Sequence, residues 1–201
     1  MSWCTMIAIS RKGEAKEIMA AAREAGAPGG TVCLAKGTAT KTILAAIGLG
    51  DTKQEVLISV IKAEDKERIL DAVSGVKAKG VVMTIDSGRD KTMERSDIDS
   101  GWVLIEVISE AGYSEDIMAT ARKAGAEGGT VINAHGTSTE DDVKFFGSPL
   151  VPEKEILMIV ISKDKADKVI EAISSMEVLK KKGMGIVFSI PVQSFMNLGK
   201  K

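Results

Sequence analysis

The residues able to do chemistry are few, and their grouping favours holding an anion over catalysis. His135 is the only histidine, and Cys4 and Cys33 are the only cysteines. A histidine-centred proton relay or a thiolate–imidazole metal cluster therefore lacks its parts. No Gly-x-Ser-x-Gly, Walker-type loop or histidine–carboxylate motif occurs. By contrast, Lys180-Lys181-Lys182 runs into Gly183-Met184-Gly185. Glycines there allow successive backbone N–H groups to converge on a phosphate, and a lysine adds charge. Gly29-Gly30-Thr31 and Gly128-Gly129-Thr130 each set a hydroxyl after a glycine pair, and Gly37-Thr38 and Gly136-Thr137 follow a short way on. Each feature also has a plainer reading. The glycine pairs suit a turn from helix to strand, the threonines suit strands, and the lysines suit a helix C-terminus. Glu140-Asp141-Asp142 offers oxygen ligands but reads as an exposed acidic loop, so no metal is expected.

These residues sit in a chain that repeats itself. Arg23-Glu24-Ala25-Gly26-Ala27-Pro28-Gly29-Gly30-Thr31-Val32 recurs as Arg122-Lys123-Ala124-Gly125-Ala126-Glu127-Gly128-Gly129-Thr130-Val131, with Gly26 and Gly125 99 positions apart. Trp3 and Trp102 keep the same offset. A period this long marks a duplicated domain, because solenoid repeats run to about 20–50 residues. Residues 87–101 are charged and glycine-bracketed, which places domains at 1–88 and 100–201 with a linker at 89–99.

Within one repeat, Met6–Ile9 is a short apolar run, and Ala15, Ile18, Met19, Ala22 and Ala25 follow at helical spacing before Gly26. Thr31–Ala35 and Glu55–Ile61 read as strands, Asp65–Val73 as a second amphipathic helix, and Gly80–Ile85 as a last strand. The second copy gives the same order, ending in Ile186–Ile190. Strand, helix, strand, strand, helix, strand is the α+β ferredoxin-like (βαββαβ) arrangement, here in tandem. Both helices then cover one sheet face. The other face must be buried by an oligomer or by docking of the two repeats.

Ala-Gly at the end of the first helix, then Gly-Gly-Thr-Val, then Gly-Thr at a loop root, resembles the PII nitrogen-regulator family over nearly the whole chain, twice. The resemblance implies an adenine nucleotide such as ATP as effector. It places Thr31 and Thr130 towards the adenine, and Gly37, Thr38, Gly136 and Thr137 at the roots of the regulatory loops. Lys182, Gly183 and Gly185 fall in the phosphate-binding loop. It also implies a homo-oligomer, a trimer being favoured, that acts on a partner protein through loops at about 39–53 and 138–153. Neither loop contains tyrosine, and Ile186 stands where the family's phosphate-binding loop carries a lysine.

The expected function is thus nucleotide-sensing signal transduction without catalysis. An acyl- or phosphoryl-transfer enzyme on the same fold, or a copper-tolerance type of metal-handling trimer, is the alternative. Net charge is −1, which offers no broad basic footprint for nucleic acid. No targeting segment or long apolar run is evident, so a cytoplasmic location is expected. Ala78 replaces one of the two loop glycines in the first repeat, so the loop at Lys182, Gly183 and Gly185 is expected to hold phosphate more tightly than the one at Lys77–Gly80.

Overall fold

The computed structural model describes residues 3–38, 52–86, 100–136, 144–145, 148–149, 153–181 and 184–199. The linker at 89–99 and most of both expected loops lie outside them. The first half runs β1 (Trp3–Arg11), α1 (Ala15–Glu24), β2 (Thr31–Gly37), β3 (Thr52–Lys62), a 3-10 turn (Ala63–Asp65), α2 (Lys66–Ser74) and β4 (Gly80–Asp86). The second runs β5 (Trp102–Glu110), α3 (Ser114–Lys123), β6 (Thr130–His135), a small β7 (Lys144–Phe145) and β8 (Ser148–Pro149) pair, β9 (Glu153–Ser162) and α4 (Lys163–Ser174). It closes with α5 (Glu177–Lys180), β10 (Gly185–Pro191) and β11 (Ser194–Leu198). The last short helix and β11 have no sequence signal of their own.

The helices form for local reasons. Ala15, Ile18, Met19 and Ala22 make one buried stripe along α1. The helix stops where Gly26 takes φ +100°. There the Gly26 N–H donates to Arg23 O at 3.0 Å and the Ala27 N–H to Ala22 O at 2.9 Å, the paired bonds of a Schellman cap. Gly125, at φ +117°, does the same for α3. The glycine pairs that follow have a different task in their second member. A Cβ on Gly30 would lie 2.9 Å from Ile58 O, and one on Gly129 would lie 2.9 Å from Met158 O, so each lets its strand approach its neighbour closely.

Nine strands form one sheet in the order β10-β5-β9-β6-β2-β3-β1-β4-β11, with every pairing antiparallel. The halves join at two places. β2 meets β6 through Ala35↔Ile132, Lys36↔Val131 and Gly37↔Thr130. β11 leaves its own half and pairs with β4. The crossing is abrupt: the Val192 N–H donates to Trp102 O at 3.1 Å, and the next N–H, of Gln193, donates to Thr84 O at 2.8 Å.

Each helix pair covers one face of its own strands. Ile18, Leu57, Ile61 and Ile69 fill the first such core, and Ile105, Ile117, Leu157 and Val169 the second. The opposite faces meet each other: Ile7, Ile9, Val56 and Met83 pack with Leu104, Met158 and Val192. At about 1.5–3 kcal/mol per buried large side chain, this third core gives the two halves a strong reason to stay together. The uncovered face that favours an oligomer in sequence is therefore covered within one chain.

Glu106 interrupts the third core. On β5 it lies opposite Phe188 and Met158, in the position that Ile7, 4% exposed, fills in the first half. Burial raises its pKa above the ordinary glutamate value. A carboxyl whose folded pKa is raised costs nothing below the unfolded value, and its cost grows as pH rises through the folded value. Glu106→Gln should accordingly raise Tm at pH 7, and thermal melts should show the gain fading as pH falls through the carboxylate range. Gly80 supplies a second check, because a Cβ there would stand 1.9 Å from Ile9 O. Gly80→Ala should cost about 3 kcal/mol in urea unfolding, at the upper end for overpacking. Gly75→Ala, whose Cβ would meet only Ala72 O at 3.5 Å, should change stability by less than about 1 kcal/mol.

Candidate functional site

Where the third core reaches the surface, a cleft of about 390 Å³ opens between the halves. Ile9, Gln54, Gly80 and Val81 form the wall from the first half. Gly125 and the run Glu127-Gly128-Gly129-Thr130, with Trp102, Met158 and Val160, form the wall from the second. β11 adds Phe195 and Asn197. Phe195 stacks on Trp102 with ring centroids 4.1 Å apart and planes 24° from parallel. The lining mixes apolar side chains with a few polar groups, among them the buried Thr130 and the exposed Lys165.

Lys165 is the only cation among the described residues of the lining. It stands in the first turn of α4, and its Cδ lies 3.9 Å from where a Gly125 Cβ would be. The first half carries the opposite charge at the matching position, since Asp65 pairs there with Arg68 at 2.5 Å over Gly26. The charge reversal is visible on aligning the two repeats, although it draws attention only once the cleft is known.

The residues singled out in sequence separate into three groups. Thr130 lines the cleft and is buried, and its hydroxyl donates to Gln54 Oε1 at 2.8 Å. Gly37 and Thr38 lie beside it but are engaged in joining the halves. Gly37 is the register partner of Thr130, while Thr38 Oγ1 donates to Gly129 O at 2.9 Å and accepts from the Gly129 N–H at 2.7 Å. The Thr38 N–H also donates to Gly129 O at 2.8 Å, and the Arg122 guanidinium donates to Thr38 O. Thr31 and Gly136, their counterparts by the repeat, do not line the cleft, and Thr31 is exposed.

The third group is the expected phosphate loops. Lys182, Gly183 and Thr137 lie outside the described residues. Gly185 is explained by packing, since a Cβ there would sit 2.7 Å from both Ile108 O and Leu179 Cδ2. In the first half the matching loop already holds a carboxylate: Glu14 Oε2 accepts the Lys79 N–H at 3.0 Å and the Arg11 N–H at 3.2 Å. Glu14 thus occupies the place of an external anion on that loop. Tyr113 stands at its position in the second repeat. Among the described residues no group of three or more His, Cys, Asp or Glu could hold a metal ion, and no helix is long and apolar enough to cross a membrane.

Residues 102–200 match the family model described as nitrogen regulatory protein P-II. No curated protein matches. Among solved structures, the chain is similar to a microcompartments protein from Desulfitobacterium hafniense DCB at 11% identity, covering 96% of this chain and 95% of that one, with a TM-score of 0.28. A protein of unknown role from Galdieria sulphuraria is similar at 12% identity, with coverage of 94% and 96% and a TM-score of 0.30. A mutant chlorite dismutase from Candidatus Nitrospira defluvii follows at 9% identity, 96% and 91% coverage and a TM-score of 0.24. Likenesses this distant carry no argument about the site.

The joint at Thr38 can be tested directly. Thr38→Val removes a hydroxyl that serves both the N–H and the carbonyl of Gly129, so it should lower stability by about 1–3 kcal/mol in urea unfolding. Thr31→Val, at an exposed position of β2, should leave stability nearly unchanged.

Proposed function

We propose that the chain is a regulatory protein of PII type, built from two ferredoxin-like repeats, that binds an adenine nucleotide between its halves without turning it over. The strand orders β4-β1-β3-β2 and β10-β5-β9-β6 support the repeat reading, because each half has the same internal order. The observation that carries the ligand reading is the cleft between Gly80-Val81 and Gly128-Gly129-Thr130, with its aliphatic walls and the single lysine at its rim. An adenine fits between Ile9, Val81 and Val160, beside the stacked Trp102–Phe195 pair that also lines the cleft. Phosphates leave the cleft towards Lys165, since the Lys79 N–H is already taken by Glu14. Binding there changes the packing between the halves, which is the route to the loops at about 39–53 and 138–153 and so to a partner protein.

Calorimetric titration of the full chain with ATP, ADP, AMP and cyclic nucleotides, beside a turnover assay, tests this reading. Binding without turnover is expected. Lys165→Ala should weaken ATP about tenfold and reduce the salt dependence, because one charge-assisted contact is lost. Lys182→Ala is the comparison: a larger loss there than at Lys165 would move the phosphate site to the second repeat's loop. No binding of any nucleotide would reject the reading.

A further inference from the structure

The repeat leaves one seam finished and the other open. β11 covers the outer edge of β4, placing Phe195 opposite Met83 and Asn197 opposite Val81. The equivalent edge in the second half belongs to β10, which among the described residues pairs with β5 alone. Gly80 corresponds to Gly185, so Val81 and Met83 correspond to Ile186 and Phe188. Met83 is fully buried, whereas Ile186 is 58% and Phe188 37% exposed. Trp102 carries Phe195 stacked on it, while its counterpart Trp3 is 38% exposed. Residues 87–99, after β4, contain no aromatic residue to match Phe195.

An exposed strand edge with apolar residues on one face is a template for strand addition. What it takes up is indicated by Glu106. This half-buried carboxyl lies on β5 directly opposite Phe188, and no hydrogen bond or ion pair reaches it from the described residues. A strand added to β10 would lie two strand spacings from β5, about 10 Å. An arginine or lysine opposite Phe188 can span that gap by lying across the ring, gaining a cation–aromatic contact on the way. A second copy of the chain fits less well. Antiparallel pairing of two β10 edges would bring Ile186 and Phe188 to the seam but no basic residue to Glu106, since Gly185–Pro191 contains none.

We propose that the free edge of β10 docks an extended segment of a partner protein, which adds to the sheet as an antiparallel strand and brings a basic residue to Glu106. The surface is separate from the nucleotide cleft and does not depend on it. β11 on β4 is the intramolecular example of the same contact.

The probe is a labelled, end-blocked peptide, Ser-Arg-Val-Leu-Val-Thr, whose arginine takes the place Phe195 has in β11. Its binding to the isotope-labelled full chain is read by anisotropy and by amide shifts. Saturable binding is expected, with shifts centred on β10, and replacing the arginine with glutamate should weaken it at least tenfold. Glu106→Gln should remove most of the preference for arginine over glutamate. This variant loses no partner in the fold, so a well-folded protein is expected. Phe188→Thr should weaken both peptides. Three results would overturn the proposal: no binding at millimolar peptide, equal binding of the two peptides, or a concentration-dependent dimer in light scattering that Phe188→Lys abolishes. The last would assign the edge to a second copy.

Discussion

Two sheets, each covered by helices on one side only, must hide their remaining faces from water, and the rest of this structure follows from how they do so. Ile7, Ile9, Val56 and Met83 press against Leu104, Met158 and Val192. Apolar burial is non-directional, so it could bring the halves together in many ways. Directional bonds select the observed one: the three-residue ladder between β2 and β6, the Thr38–Gly129 clasp, and the crossing of β11 to β4. Ile9 and Met158 of this shared core also line the cleft.

The two halves run through similar elements, but they are used unequally. Gly37-Thr38 clasps Gly129-Thr130, while Thr31 remains exposed. Asp65 is replaced by Lys165 and Glu14 by Tyr113, so the charge at the cleft rim and the occupancy of the loop before the last strand both differ. Ile7 becomes Glu106, which puts a carboxyl into an otherwise apolar face. A carboxyl in that position is costly for folding, and it lies beside the one apolar edge that no strand of the described chain covers. The inequality leaves the chain two unlike surfaces, the cleft with Lys165 in its lining and the β10 edge beside Glu106.

Much of the fold was legible in sequence because its signals are local. The stripe Ala15, Ile18, Met19, Ala22 and the cap glycines Gly26 and Gly125 require only neighbours a few residues away. The internal repeat fixed the element order of both halves, and the branched apolar runs located the strands. The site was legible only in part. Thr130 lines the cleft, whereas Thr38 is held in the clasp, and Gly185 answers to its contacts with Ile108 and Leu179.

The sequence by itself determined that there are two like units, each with one apolar face too many. It could not determine what meets that face, because an apolar surface specifies burial and not a partner. Only the tertiary structure decided that the partner is the other half, that β11 changes sheets, and that Lys165 stands beside Gly125 and Thr130. The joining of the halves depends on groups 90 or more positions apart coming within about 3 Å, as in the Thr38–Gly129 bonds. No local propensity encodes that distance.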